Sequence, residues 1–444
     1  MNNRSTRLRQ FTLGLGDITL LYVSLLATLF LRYGEISSHL INSHFLPFTI
    51  LFVVWLIIYY SQGFYDLSLA KNNIDFWSSL LKATIINIAI GVAFFYFIPI
   101  FQITPKTNFI INITLFSALF ILWRQLFNLL LRKEAFRTNT LFIGNSIEAQ
   151  EIIAKIQSNP QLGYNAKLQI STKQINNAIE LAAIINEHQI KVIVVADDPH
   201  ANQKLAKILF QCLPFQINIY DLPVFYEKIT GKIPINAINQ MWFLENLVES
   251  EYGSYETIKR FLDIILATSF SIILLILSPI ITVLVKLSSK GPIFYSQTRI
   301  GKNEKPFKLT KYRSMIHNAE TNKPQWTTQG DSRVTTIGKF LRRTFLDELP
   351  QLFSIIKGEM SFVGPRPERP EFVEQLEKTI PFYQMRHIVK PGLTGWAQIS
   401  YRYGSSVEDS TEKLKYDLYY IKNRSIALDI GIVLKTIKLI FKER

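Results

Sequence analysis

A chain of 444 residues that is 48% hydrophobic and 13% aromatic is long enough for several domains and too apolar for an ordinary soluble protein. Its formal charge of +15 sits beside long apolar segments, which favours anionic lipid headgroups and phosphorylated substrates as partners and disfavours nucleic acid. The single cysteine, Cys212, excludes an intramolecular disulfide, offers no zinc cluster and suits soluble parts in a reducing cytosol.

Four stretches are apolar enough to cross a bilayer as helices: Phe11 to Leu31, Phe45 to Tyr60, Trp77 to Phe101 and Phe109 to Leu131. The first lacks a small-residue cleavage site and reads as a retained anchor. Arg4, Arg7 and Arg9 precede the first span, and Arg132, Lys133 and Arg137 follow the last. The positive-inside rule therefore places both ends of this four-helix bundle (1–135) in the cytoplasm. Asp17, Lys82 and Arg124 lie in or near the spans and are expected to pair within the bundle or lie near its ends, because nothing else suggests transport.

The pattern then changes. Over 136–220, TLFIG (140–144) reads as a buried strand, Ile147 to Gln157 as a helix and Lys191 to Ala196 as another buried strand, so a small parallel α/β domain is expected. Its first turn, Gly144-Asn145-Ser146, has one glycine where a dinucleotide site needs several. The domain reads as degenerate Rossmann-like, structural or regulatory. Residues 221–256 read as an aromatic connector, and the remainder, 257–444, as a further, mainly α domain.

Phe261 to Val285 forms a fifth apolar stretch, interrupted by Ser278 and Pro279 and flanked by Lys259, Arg260, Lys286 and Lys290. Proline removes a donor, and basic flanks keep both ends at one leaflet, so a re-entrant helix over 261–285 that breaks at Ser278-Pro279 is predicted; a buried kinked helix or a fifth span is the alternative.

Cations crowd the region after this helix, among them Arg299, Lys311, Arg313 and Arg342. Guanidinium groups there suit bidentate phosphate binding. In Leu346-Asp347-Glu348-Leu349-Pro350-Gln351, Thr344 and Asp347 have capping-box spacing and Gly358 suits the helix end, which places Asp347 and Glu348 near a helix N-terminus. One carboxylate could attack phosphorus while the other holds a divalent ion. On this pattern alone, capping and attack stand level for Asp347. Two further Gly/Pro-rich runs follow, one presenting Arg366 and one spanning Lys390 to Gln398.

Together, Lys259-Arg260-Phe261 with Asp263, the Ser278-Pro279 break, Gly291-Pro292, Gln297 with Arg299 and Gly301, KYRSM, LRRTFLDELPQ, KGEMSFVGPRPE and KPGLTGWAQ resemble the bacterial sugar transferases from Lys259 to about Leu439. These are the monotopic polyprenyl-phosphate phosphoglycosyl transferases that initiate exopolysaccharide, capsule or O-antigen synthesis. The upstream bundle is similar to that of the family's large form.

The resemblance implies an enzyme of the bacterial inner (cytoplasmic) membrane, multi-pass, with its active site facing the cytoplasm. It would move a sugar-1-phosphate from a UDP-sugar donor to a polyprenyl phosphate acceptor such as undecaprenyl phosphate, through a phosphoryl-aspartate and with release of UMP. Asp347 would be the nucleophile and Glu348 the ligand for Mg²⁺. Arg342, Arg299, Lys311, Arg313 and Arg366 would bind phosphate, and Gly392, Leu393, Thr394, Gly395 and Gln398 would serve the nucleotide. Homodimerisation through the soluble part is compatible with this reading.

Phe345, and Ser400-Tyr401-Arg402, depart from the common family pattern without touching the carboxylates. A rival class, membrane-bound nucleotide-sugar dehydratases, would need a Tyr-x-x-x-Lys pair. The spacing from Tyr255 to Lys259 supplies one, but no glycine-rich dinucleotide loop accompanies it. Around Ile426 to Phe441 the last helix carries Lys435, Lys438 and Lys442, and reads about equally as a membrane-surface helix or a core helix.

Overall fold

The computed structural model describes residues 4–67, 74–98, 106–132, 137–196, 202–247, 253–316, 319, 331–401, 404 and 406–440. The expectations that involve Phe101, Lys133, Arg402, Phe441 and Lys442 lie outside them. The chain forms two compact units, Met1–Thr230 and Gly231–Arg444.

The first unit opens with four long helices, α1 (Arg4–Tyr33), α2 (Ser38–Gln62), α3 (Ile74–Phe97) and α4 (Lys106–Arg132), each containing a segment long and apolar enough to cross a membrane. Ser37 caps α2, and Gly63, at φ +85, ends it in the left-handed region that glycine enters without a Cβ penalty. The interior is aromatic: Phe48, Phe52, Trp55, Tyr59, Phe116 and Phe120 are buried, with Tyr59 stacked 5.0 Å from Phe120. Leu26, Phe30, Leu122 and Leu126 point outward, so apolar side chains cover the outside as well as the inside, as lipid contact requires.

Asp17 and Arg124 pair inside the bundle, as expected, at 2.5 Å and almost without exposure. Arg124 also donates to the Phe64 carbonyl at 3.0 Å, while Lys82 is exposed. Removing one partner strands a buried charge, so Arg124→Met is expected to destabilise the bundle by about 3 kcal/mol. In a thermal-unfolding double-mutant cycle, adding Asp17→Leu should recover part of that loss. Simple additivity would show that the two charges are not coupled.

After the bundle come β1 (Thr138–Ile143), α5 (Ile147–Ser158), β2 (Tyr164–Ile170), α6 (Ala178–Glu187), β3 (Val192–Val195), α7 (Gln203–Gln211), β4 (Asn218–Asp221) and α8 (Leu222–Thr230). The strands form one parallel sheet in the order β2-β1-β3-β4. Alternation along the strands gives it two cores: Leu141, Ile143, Ile193 and Val195 face α6 and α7, whereas Phe142, Val192 and Val194 face α5 and α8. The stretch read as a connector is shared between the units. Leu222, Phe225, Tyr226 and Ile229 of α8 complete the sheet's second core, and Ile233, Ile235 and Phe243 join the core of the second unit.

The second unit comprises α9 (Gln240–Asn246), α10 (Gly253–Ser288), the antiparallel pair β5 (Phe294–Ile300) and β6 (Pro306–Tyr312), α11 (Thr336–Thr344) and α12 (Leu352–Lys357). It continues with β7 (Ser361–Val363), α13 (Pro370–Thr379), β8 (Gly392–Thr394), α14 (Trp396–Ser400), α15 (Val407–Lys422) and α16 (Ile426–Ile440). Its larger core joins Val363, Leu376, Tyr383, Leu418, Tyr420 and Ile432, so α16 packs as a core helix on this face while Ile430, Val433 and Ile437 remain exposed.

α10 is the fifth helix long and apolar enough to cross a membrane, which makes the chain a membrane protein with a helical bundle and a parallel sheet. Ser278 and Pro279 lie inside the 36 residues of α10. Proline removes one donor, the one that would serve the Leu275 carbonyl. Ala267, Leu274, Ile281 and Val285 share a core with Phe307, Leu309, Leu341 and Ile355. Phe261, Ile265, Ile272, Ile276, Ile280 and Val283 occupy the outward side.

Candidate active site

Asp347 and Glu348 lie in a 3-10 turn, Leu346–Gln351, that runs directly into α12. The expected capping box is absent. Thr344 ends α11, and its hydroxyl donates back to the carbonyls of Phe340 (2.9 Å) and Leu341 (3.2 Å), a local bond that a C-terminal threonine makes readily. Phe345, at φ +58, then turns the chain so that the two acidic residues are buried beside β6. Gly358 ends α12 in the left-handed region, as the sequence indicates.

Glu348 holds two cations on one oxygen. Lys311 Nζ on β6 and Arg366 on the loop after β7 each donate to Glu348 Oε1 at 2.7 Å. Burial alone would raise this carboxyl, but Arg366 and Lys311 overcome it and hold Glu348 well below the usual carboxylate range. Lys311 is lowered by burial, with Glu348 opposing the shift.

Asp347 differs from its neighbour. It is buried, its carboxylate accepts no side-chain or backbone hydrogen bond among the described residues, and burial raises its pKa against the pull of Lys311. Glu348 adds to that rise, while Arg342 and Arg366 oppose it. A desolvated carboxylate without a capping role, set among three cations, has its oxygens available for an electrophile.

The other expected phosphate ligands divide into two sets. Arg342 stands near Asp347, with its Nε donating to Ser314 Oγ at 2.8 Å. Arg313 is committed to the backbone, donating to the Ser289 carbonyl at 2.7 Å and also to that of Pro292, where it ties the end of α10 to β6. Arg299 reaches the Pro367 carbonyl at 3.1 Å and Glu368 at 3.3 Å, and so supports the loop that carries Arg366. In this geometry both side chains are engaged by the protein itself.

The run Gly392 to Gln398 is built into the fold beside that loop. A Cβ on Gly392 would lie 2.1 Å from the Gly364 nitrogen, and one on Gly395 would lie 2.2 Å from the Gly364 carbonyl oxygen. These glycines therefore let two backbone segments touch. The Thr394 hydroxyl is 2.8 Å from that of Thr436, and Gln398 Nε2 donates to the Leu393 carbonyl at 3.4 Å while its Oε1 is buried without a partner. Leu393 packs against the α10 core.

Sequence reasoning missed Arg386 and Asp417. Arg386 donates to Asp417 at 2.9 Å and to the Arg366 carbonyl at 2.9 Å, so it fixes the backbone behind the Arg366–Glu348 contact. Burial raises Asp417 to about 6. The sequence signal was slight, an arginine within the mostly apolar run Ile380 to Val389.

A cavity of about 360 Å³ lies elsewhere, at the start of α10, lined by Lys259, Arg260, Asp263, Lys390 and Arg424 among others. Most of its charges are committed. Lys259 pairs with Asp429 at 2.6 Å, Arg424 with Glu256 at 3.1 Å, and Arg260 donates to the carbonyls of Ile355 and Ile356. Tyr255 also donates to Asp429, at 2.9 Å, so the Tyr-x-x-x-Lys spacing is an anchor for α10.

Residues 254–443 match the bacterial sugar transferase family. An exopolysaccharide production protein of Sinorhizobium fredii is 40% identical over 194 residues, covering 40% of this chain and 83% of that protein. The chain belongs to the bacterial sugar transferase family.

It is also similar to a UDP-N-acetylgalactosamine-undecaprenyl-phosphate N-acetylgalactosaminephosphotransferase of Aeromonas hydrophila, 41% identical over 252 residues, or 56% of this chain and 58% of the relative. A UDP-glucose:undecaprenyl-phosphate glucose-1-phosphate transferase of Escherichia coli is 45% identical over 190 residues, or 42% of this chain and 40% of the relative. The chain thus spans about half the length of these two curated relatives.

Proposed function

We propose that this sugar transferase moves a sugar-1-phosphate from a UDP-sugar to a polyprenyl phosphate such as undecaprenyl phosphate, as the first membrane step of polysaccharide synthesis. The observation that carries the reading is the buried Asp347 carboxylate, unbonded beside a Glu348 that already gathers Lys311 and Arg366. An oxygen of Asp347 attacks the β-phosphorus, the bond from that phosphorus to the bridging oxygen breaks, and UMP leaves with the oxygen. A phosphate oxygen of the polyprenyl acceptor then attacks the same phosphorus, forming the lipid diphosphate sugar and freeing Asp347. Arg342, Arg366 and Lys311 stabilise the charge that develops on the phosphoryl oxygens.

Adjacent carboxylates offer the hard oxygen donors that magnesium prefers. Both cations sit on Oε1 of Glu348, which leaves Oε2 as the oxygen that would hold the ion. Bound there, Mg²⁺ would supply neutralisation of the donor diphosphate.

In this reading α10 enters the membrane without crossing it, and the active site lies at the cytoplasmic face of the inner membrane. The support is geometric. Residues from Lys259 to Val285 engage the catalytic fold along roughly 39 Å of helix, at about 1.5 Å per residue. A hydrocarbon core is about 30 Å thick. Packing on a polar domain over that distance favours a helix that does not traverse it, and the apolar outward side suits immersion in one leaflet.

The test uses purified protein, Mg²⁺, polyprenyl phosphate and a panel of UDP-glucose, UDP-galactose and UDP-N-acetylated sugars, with the nucleotide product identified. UMP is the expected product. Release of UDP would mean plain glycosyl transfer and would overturn the mechanism.

A further inference from the structure

A second polar cluster lies away from Asp347, where three segments meet. Glu304 is in the short turn between β5 and β6, Glu377 is on α13, and His387 is in the 3-10 segment Tyr383–Ile388. One potential ligand atom from each lies within 4.8 Å of the other two. The glutamates are exposed, but His387 is only 6% exposed. Its Nδ1 is buried without a hydrogen-bond partner and sits 4.0 Å from Glu377 Oε1.

A buried imidazole nitrogen left unbonded costs free energy that folded proteins normally avoid. Two carboxylates facing it repel each other unless something cationic lies between them. Two nearby cations are committed elsewhere: Arg386 to Asp417 and the Arg366 carbonyl, and Lys378 to Glu374. The backbone brings Glu304 to this point at φ +60, next to Asn303 at φ +53, conformations that side-chain-bearing residues adopt infrequently.

We propose that Glu304, Glu377 and His387 bind a divalent transition-metal ion, with zinc as the best match. Two carboxylate oxygens and one imidazole nitrogen, completed by water, form a donor set that zinc accepts. Magnesium and calcium prefer oxygen alone. Tetrahedral zinc with bonds near 2 Å needs ligand atoms about 3.3 Å apart. Closing the present gaps would fall to the two exposed glutamates, the histidine being buried. The ion would clamp the β5–β6 turn to the segment whose Arg386 holds the Arg366 loop, and so stiffen the backbone behind the active site. The site stands apart from the phosphotransfer reading and does not depend on it.

The experiment is a zinc titration of the full-length protein in detergent, stripped by a chelator and kept in excess Mg²⁺ so that oxygen-only sites are filled. Calorimetry and elemental analysis should give about one zinc per chain, with a raised unfolding temperature. Glu377→Gln and Glu304→Gln, both at the surface, should each weaken binding roughly tenfold or more, and His387→Gln should weaken it at least as much. Failure of the native protein to bind zinc stoichiometrically overturns the assignment. So does unchanged affinity in the two glutamate variants, whatever the folding of the histidine variant.

Discussion

Asp347→Asn is expected to abolish turnover, by about 10⁴-fold or more, while leaving a protein at least as heat-stable as the native one. The two effects have one cause. Burial raises the folded-state pKa of Asp347 above its unfolded value near 3.9, so the folded chain holds the proton more tightly than the unfolded chain does. Its ionised form therefore weakens the fold at neutral pH, and that penalty disappears as pH falls through the folded pKa. Asparagine removes the charge and the penalty together.

The same shift governs the rate. Attack needs the carboxylate, so kcat/KM should rise with pH along an acid limb set above the ordinary aspartate range. Glu348, held well below that range, contributes nothing to the limb. Thermal melts and a pH–rate profile measure the two effects independently. Retained turnover in the asparagine variant would move the nucleophile elsewhere, and a clear fall in its melting temperature would show that the charge stabilises the fold.

Much of this arrangement is legible in the sequence, for physical reasons that differ by element. The four bundle helices declare themselves because lipid demands long apolar runs. β1 and β3 do so because a strand covered on both faces is apolar without alternation. Asp347 and Glu348 stand out as adjacent carboxylates in a basic region. Their surroundings do not, because Lys311, Arg342 and Arg366 come from three separate elements, and nothing local tells a ligand from a strut. Arg313 and Arg299 belong to the same cationic run, yet the fold directs the first to backbone carbonyls and the second to the Pro367 carbonyl and the side chains of Glu368 and Gln297. Thr344 shows the limit of spacing. Its distance from Asp347 fits a cap, but the left-handed turn at Phe345 ends one helix there and leaves the hydroxyl facing backward. Arg386 and Asp417, 31 residues apart, form a pair that no single-sequence pattern reveals.

Glu348→Gln should have the opposite signature to Asp347→Asn: a damaged fold as well as a damaged reaction. Neutralising Glu348 leaves the partly buried Lys311 without its counter-charge and releases Arg366, and breaking a buried pair costs about 3–5 kcal/mol. The lower end applies here, because the Arg366 side chain is 38% exposed and water can take over part of its solvation. The folded-state pKa of Glu348 is depressed. Its stabilisation is therefore fully present above the unfolded glutamate value near 4.3, and is lost only as pH falls through the lower folded value. The gap in stability between native protein and variant should accordingly be constant near neutrality and shrink in acid below about pH 4. Turnover should fall by about 10²–10³-fold, since a misplaced Arg366 no longer meets the developing phosphoryl charge. Adding Lys311→Met to Glu348→Gln should restore part of the stability and none of the activity, because it removes the stranded charge without rebuilding the site. A Glu348→Gln variant as stable as the native protein at neutral pH would show that this carboxylate does not hold Lys311 and Arg366 in place.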